Sequence, residues 1–373
     1  MRRFIAWLPL YFFLALIALL LGSRPGLVQY AARSAMERVR GHAASPNGPA
    51  APVDSAQVAL GRALFFDPVL SANKERACAS CHLPTRGFSD GRRVALAIDH
   101  GNLPRNAPGL TNVSDQVAFF WDGRAVSLED QIDGPVHNRM EMGGLTRRQL
   151  EARLDSIPGY QTLFHGAYGT PHPQWPDAKR AIAAFERTIR SGGSTVDRWW
   201  RREIPESEVP AEVRHGFDLF AGRAQCSRCH FLPLTTSVVP GGFTTQEFQV
   251  IGVPADSSGL SLDPDVGHFA VTHLDAHHHA FKAPSLRNIA HSAPYMHNGA
   301  FETLDQVIQF YNRGGGRGLG FDVPNQAPEV HPLHLTAQDE AALVRFLEAL
   351  SDDPHTVETP SRVPSGLTPG GKY

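Results

Sequence analysis

The sequence predicts a mainly α-helical protein with long loops, built as two related halves behind an apolar N-terminal segment. Three observations lead there. Apolar residues recur at helical spacing in several short stretches, while no long alternating strand pattern occurs. Glycine and proline number 34 and 29 among 373 residues, enough to expect much irregular chain between the helices. Residues 58–65 and 213–220 both carry Gly-x-x-Leu-Phe on a short amphipathic pattern, and each precedes a Cys-x-x-Cys-His pentapeptide.

The pentapeptides are Cys78-Ala79-Ser80-Cys81-His82 and Cys226-Ser227-Arg228-Cys229-His230. Two cysteines two residues apart, with a histidine next, have the geometry of a covalent c-type haem site. The thiols add to the haem vinyl groups, and the histidine on the same turn reaches the iron as its proximal ligand. Together the motifs use all 4 cysteines of the chain. Two disulfides, or one zinc site of four cysteines, would leave both histidines without a reason. The sequence therefore predicts two covalently bound haems c, one on Cys78, Cys81 and His82, the other on Cys226, Cys229 and His230.

Taken in order, the chain opens with Met1-Arg2-Arg3 and an uncharged apolar run over residues 4–22, 19 residues long. That is long for a signal peptide core and just enough to cross a bilayer. Residues 1–25 read as a signal anchor or signal peptide, with the basic end inside and the rest exported to the periplasm. Export suits c-type haem, which bacteria attach outside the cytoplasmic membrane. Residues 26–54 read as a flexible linker, rich in Ala, Pro, Gly and Asn from 41 onwards. Residues 55–205 form the first cytochrome-c-like domain, with helices over 58–65, 146–156 and 177–190. In the last of these, Ile182, Phe185 and Ile189 share a face. Residues 206–352 form the second domain, irregular over 231–280 and helical over 213–220, 304–311 and 338–350. Thr336 is the expected N-cap of that final helix. The Pro- and Gly-rich residues 353–373 are expected to be a disordered tail.

Hydrophobic content of 42% permits a sizeable core, and a net charge of −2 lacks the basic excess of a nucleic-acid binder. His273 and His277-His278-His279 form a loop cluster that reads as solvated or adventitiously metal-binding rather than catalytic.

The order of further motifs carries a resemblance. Leu64-Phe65-Phe66-Asp67-Pro68, the first Cys-x-x-Cys-His, Pro104-Arg105-Asn106-Ala107-Pro108 and Phe120-Trp121-Asp122-Gly123-Arg124 follow one another. Gly134-Pro135-Val136, Glu141-Met142, the second Cys-x-x-Cys-His, Ala283-Pro284-Ser285-Leu286-Arg287-Asn288 and Ala293-Pro294-Tyr295-Met296-His297-Asn298-Gly299 complete the series. Over residues 55–352 the chain resembles the bacterial di-haem cytochrome c peroxidases. It also resembles their relative, the methylamine-utilisation di-haem enzyme that matures a tryptophan-derived quinone.

The resemblance implies a peroxide-reactive first haem on His82 and an electron-transfer haem on His230. It implies that Trp121 lies between the haems and couples them, and that Gln131 and Glu141 form the distal pair. Peroxide activation needs a base to take one proton and an acid to deliver one to the leaving oxygen. Without the resemblance, Trp121 would read as core, and Gln131 and Glu141 as solvated surface. A calcium ion between the domains would fall to Asn106 and the backbone carbonyls of Ser292 and Pro294, hard oxygen ligands that suit it. Alone, Asn106 reads as a turn residue.

Two positions separate the branches of the family. Ordinary peroxidases give the second haem a methionine as far ligand, whereas Tyr311 stands fourteen residues after His297, as in the quinone-forming enzyme. An anionic tyrosinate stabilises oxidised iron and lowers its potential. Met296 is the nearest methionine, and a packed core tyrosine is the plainer reading of Tyr311. Ordinary peroxidases also place a histidine on the far side of the resting first haem. Here Ile98 stands seven residues before Arg105 and His100 five before, so an open site is expected, with His100 as the competing ligand.

The resemblance thus implies an oxidoreductase that reacts with hydrogen peroxide and draws electrons from a small redox protein or a protein substrate. A membrane contact through the N-terminal segment and a homodimer are further partner expectations. The competing function is a membrane-tethered di-haem electron carrier, in which Gln131 and Glu141 would have no task.

Overall fold

The computed structural model describes residues 54–238, 248–352 and 357–372. The N-terminal segment over 1–25 and all of the linker but Asp54 lie outside the described residues. Among the described residues no helix is long and apolar enough to cross a membrane.

The first half contains helices α1 (Ser55–Phe66), α2 (Leu128–His137), α3 (Arg147–Asp155), α4 (Pro158–Tyr168), α5 (Trp175–Glu186) and α6 (Thr195–Trp200). The second contains α7 (Ala211–Ala221), α8 (Leu304–Asn312) and α9 (Ala337–Glu348). Local chemistry starts most of them. Asp54, Ser127, Thr146, Ser194, Thr303 and Thr336 each accept a first-turn backbone N–H. Thr146 with Gln149, and Thr303 with Gln306, close reciprocal capping boxes. The expected N-cap Thr336 is in place.

Three helices, α2, α4 and α6, are absent from the sequence expectation. Gly134-Pro135 reads as a helix breaker, yet α2 runs through it. The expected 177–190 helix ends early, at Glu186, and Ile189 beyond it is still buried in the core.

The shared Gly-x-x-Leu-Phe has one structural meaning in both halves. α1 packs on α5, and a Cβ on Gly61 would lie 1.9 Å from the carbonyl oxygen of Ala181. α7 packs on α9, and a Cβ on Gly216 would lie 2.0 Å from that of Ala342. Each glycine lets two backbones touch. One turn on, Phe65 meets Phe185 and Phe220 meets Phe346, both with ring centroids 5.0 Å apart. The repeat is therefore a helix pair rather than a single helix.

The halves are bound to each other by polar contacts. Arg105 bridges Asp122 of the first half, at 2.6 Å, and Asp265 of the second, at 2.7 Å. Arg287 reaches the buried Asp197 on α6 at 2.5 Å. Strand β1 (Phe248–Val250) pairs antiparallel with β2 (Ala280–Lys282), and the Lys282 N–H donates to the Trp121 carbonyl at 2.9 Å. Within the expected irregular stretch 231–280, this short ribbon is the only sheet among the described residues.

The tail corrects the sequence reading. Residues 357–372 are ordered against the first half, with Val363 in its core. Ser365 Oγ donates to Asp67 Oδ1 at 2.6 Å, and the Gly370 N–H donates to the Phe66 carbonyl at 2.7 Å. Proline and glycine here shape turns, and their backbone groups find protein partners instead of water.

Candidate functional site

Cys78–Cys81 makes one helical turn, and Cys226–Arg228 a tighter 3-10 turn. In both, the histidine N–H donates to the carbonyl of the first cysteine at 3.0 Å, which brings the histidine round to the cysteines' side. His82 Nδ1 donates to the Phe88 carbonyl at 2.8 Å and His230 Nδ1 to the Pro284 carbonyl at 3.1 Å. That assigns Nε2 as the ligating atom in each ring. Burial pushes both imidazoles below their ordinary pKa, His230 to about 4, so both are neutral and able to ligate at physiological pH.

The four cysteines form no disulfide, and among the described residues no group of three or more His, Cys, Asp or Glu could hold a metal ion. Burial also pushes the Cys78 and Cys226 thiols up to about 12. Neither the disulfide nor the zinc alternative fits.

Both motifs open onto one cavity of about 760 Å³. Gln131, Glu141, Trp121, Tyr311, Asn106, Ser292 and Pro294 all line it, so every residue expected in the site reaches the same space. Its wall also contains Glu186 at the end of α5, 4% exposed, with Oε2 lacking any hydrogen-bond partner. Burial pushes that carboxyl up to about 8. An apolar cavity between two Cys-x-x-Cys-His turns, with an orphaned carboxyl beside Cys78, fits a pair of large prosthetic groups.

Gln131 projects from α2. Glu141 sits just beyond that helix, where Asn138 Nδ2 donates to Glu141 Oε1 at 2.7 Å. Burial raises the Glu141 carboxyl above its ordinary pKa, while Asn138 and Arg124 oppose the rise. Trp121 stands where the halves meet. Its Nε1 donates to the Asn106 carbonyl at 2.9 Å, and its ring centroid is 6.5 Å from that of His297. Asn106 is buried, with Nδ2 donating to the Arg92 carbonyl at 2.6 Å and its N–H to the His297 carbonyl at 2.7 Å. Tyr311, near the end of α8, is close enough to the second motif for burial, then Cys229 and Cys226, to push its phenol well above the ordinary value.

His100 lies elsewhere. It occupies an exposed turn with φ of 68°, and neither it nor Ile98 lines the cavity. The histidine loop is not simply solvated either. His268 stacks on Phe248 with centroids 3.7 Å apart, His278 stacks on Phe269 at 3.7 Å, and His279 Nδ1 donates to the Asp265 carbonyl. These histidines are half-buried packing residues, and none of them lines the cavity.

Sequence reasoning missed Arg124. Its guanidinium lies 3.5 Å above the Phe120 ring centroid and bonds both Asp122 carboxylate oxygens at 3.0 Å, on the same cavity as Glu141. It stood in the Phe-Trp-Asp-Gly-Arg motif in plain view, but only its electrostatic reach to Glu141 shows a task.

Two haem-attachment turns facing one cavity define a two-haem c-type protein. Comparison with known proteins sharpens the class. The family model described as di-haem cytochrome c peroxidase matches residues 55–204. The chain is 36% identical to the methylamine utilization protein MauG of Methylorubrum extorquens, covering 84% of either chain. It is 32% identical to the cytochrome-c peroxidase IdrP1 of Denitromonas iodatirespirans over 85% of this chain and 87% of that one. Among solved structures, a MauG-like protein associated with microbial copper homeostasis superposes with a TM-score of 0.72 at 31% identity. That match covers 81% of this chain and 91% of the other. The chain belongs to the di-haem cytochrome c peroxidase family, and it is a peroxidase-type oxidoreductase with two haems c.

Proposed function

We propose that hydrogen peroxide is reduced on the His82 side of the cavity and that electrons arrive through the His230 side, with Tyr311 as the far ligand there. The haems supply one-electron redox chemistry and, at the first iron, a coordination position for peroxide. The protein supplies proton handling and geometry. Reducing peroxide to two waters takes two electrons and two protons. Glu141, as carboxylate, would take a proton from one peroxide oxygen and return it to the leaving oxygen, while the Gln131 amide would orient the substrate. Trp121, held by the Asn106 carbonyl and the Lys282 N–H, sits on the route between the two motifs.

The observation that carries this reading is the lining of the cavity. Glu141 and Gln131 share the cavity with His82, whereas His100, the competing sixth ligand, stands on an exposed turn outside it. Tyr311 as second-haem ligand draws support from its placement beside Cys226 and Cys229, and it favours the tyrosine-ligated branch. Asn106, Ser292 and Pro294 remain the calcium candidates, all three on the cavity wall. The electron donor is a small redox protein or a protein substrate, met outside the cytoplasmic membrane after export on the N-terminal segment.

Stopped-flow mixing of the fully oxidised di-haem protein with stoichiometric hydrogen peroxide tests the reading. A rapid change in the haem spectrum without added reductant is expected. Reaction only after one haem has been reduced would sink the open first site, and no reaction in either state would return the protein to an electron carrier.

A further inference from the structure

Residues 357–372 follow the second half in sequence yet lie on the first, against the side of the Cys78–Cys81 turn away from the cavity. The contacts are specific. The Lys372 N–H donates to the Glu75 carbonyl at 2.8 Å, and Gly371 forms an antiparallel bridge with Arg76. Ser80 Oγ, fully buried, accepts from the Ala77 N–H at 2.9 Å and donates to the Gly370 carbonyl at 2.7 Å. Arg76, Ala77, Cys78, Cys81 and His82 all line the cavity, and Ser80 does not. The segment therefore grips the haem turn from behind.

The same strap fixes the end of α1. The Phe66 carbonyl, among the last of that helix, accepts from the Gly370 N–H. The buried Asp67 takes the Ser365 hydroxyl at 2.6 Å and the Tyr160 hydroxyl at 2.7 Å. Ser80 has no like counterpart in the second motif, where Arg228 occupies the equivalent position and is exposed. The two haem turns, alike in sequence pattern, are thus held differently: a helical turn braced from outside, and a 3-10 turn with its third residue in solvent.

We infer that the C-terminal strap is a positioning device for the first haem site alone. Through Ser80, and through the Glu75 and Arg76 backbone, it fixes the Cys78–Cys81 turn and with it the direction in which His82 presents Nε2. Iron–imidazole geometry depends on that direction, because ring orientation is set by what holds the histidine from behind. The strap thereby tunes the potential and reactivity of one haem while leaving the other alone. The rate component of the test rests on the reading that the first haem meets peroxide; the spectroscopic component does not.

Two variants of the full di-haem protein test it: a chain ending at residue 356, and Gly371→Val. A Cβ at Gly371 would lie 2.3 Å from the Glu75 carbonyl oxygen and 2.8 Å from Ser80 Oγ, so valine lifts the strap off Ser80 without replacing a residue of the motif. Lys372→Ala removes only an exposed ion pair with Glu75 and serves as the control. Low-temperature electron paramagnetic resonance and a spectroelectrochemical titration read each haem separately. In both strap variants the first haem's g-values and potential should move, and the second's should not. Loss of two hydrogen bonds should slow the peroxide step on the order of tenfold. If truncation prevents folding, Gly371→Val decides alone. Unchanged first-haem spectra, or equal shifts at both haems, would overturn the inference. A parent protein inert to peroxide would fault the proposed reaction but leave the spectroscopic comparison valid.

Discussion

At the scale of single residues, the reactivity of the cavity turns on what surrounds Glu141. Burial raises its pKa; the Asn138 amide and the charge of Arg124 work in the other direction. As a base Glu141 must be deprotonated, so the peroxide rate should rise with pH through its pKa. Glu141→Gln should abolish that limb and lower the plateau by about 10²–10⁴-fold. Arg124→Gln should move the limb to higher pH, because the cation that favours the carboxylate is gone, and leave the high-pH plateau in place. With its side chain 42% exposed, the Arg124 effect should shrink as salt is added. Peroxide rate against pH at two ionic strengths checks both, and a limb unmoved in Arg124→Gln would remove Arg124 from the reaction. Glu141 was legible in the sequence only through its family offset from Trp121. Arg124 was not, since a motif shows which residue stands at a position and not which neighbour its charge reaches.

Among the elements, the two helix pairs make the strongest link between sequence and packing. Gly61→Ala and Gly216→Ala would each drive a methyl into a carbonyl oxygen of the facing helix, and backbone cannot rotate aside. The helices must part, at a cost of about 1–3 kcal/mol, which exceeds the gain of about 1 kcal/mol in helix propensity. Denaturant melts of the haem-loaded protein should therefore show both variants less stable than the parent. Either one matching the parent would mean that the glycine is not a packing requirement. The Gly-x-x-Leu-Phe repeat announced these pairs, whereas its partner pattern, Ala181 with Phe185 and Ala342 with Phe346, is too common to be noticed before the helices are seen together. α2 escaped for the opposite reason. Pro135 removes the bond to the Gln131 carbonyl, so the sequence reads as a break, but capping by Ser127 and the buried Leu128, Ile132 and Val136 hold the helix through it. The tail escaped because its composition matches solvated chain, and only long-range partners such as Asp67 and Ser80 distinguish the two.

Across the whole molecule, the two motifs share a cavity only because the halves stay in register, and Arg105 is central to that. It holds Asp122, the neighbour of Trp121, and Asp265 of the other half, with side chains 18%, 8% and 20% exposed. Burial by itself would raise Asp265, but its hydrogen bonds to Arg105 and the Gly267 N–H outweigh burial and place its pKa below the ordinary 3.8. A carboxylate depressed in the folded state contributes stability above its unfolded pKa and loses it as pH falls through the folded value. Arg105→Gln should therefore cost about 2 kcal/mol at neutral pH, less than for a fully buried pair because water reaches this one. The gap from the parent should stay open down to about pH 4 and close below it, as Asp265 is protonated in both proteins. Denaturant melts of the two proteins from neutral to acid pH measure that gap. A gap that ignored pH would mean that Arg105 acts through packing alone, and the register of the halves would then have to rest on Arg287 with Asp197 and on the Lys282 N–H at Trp121.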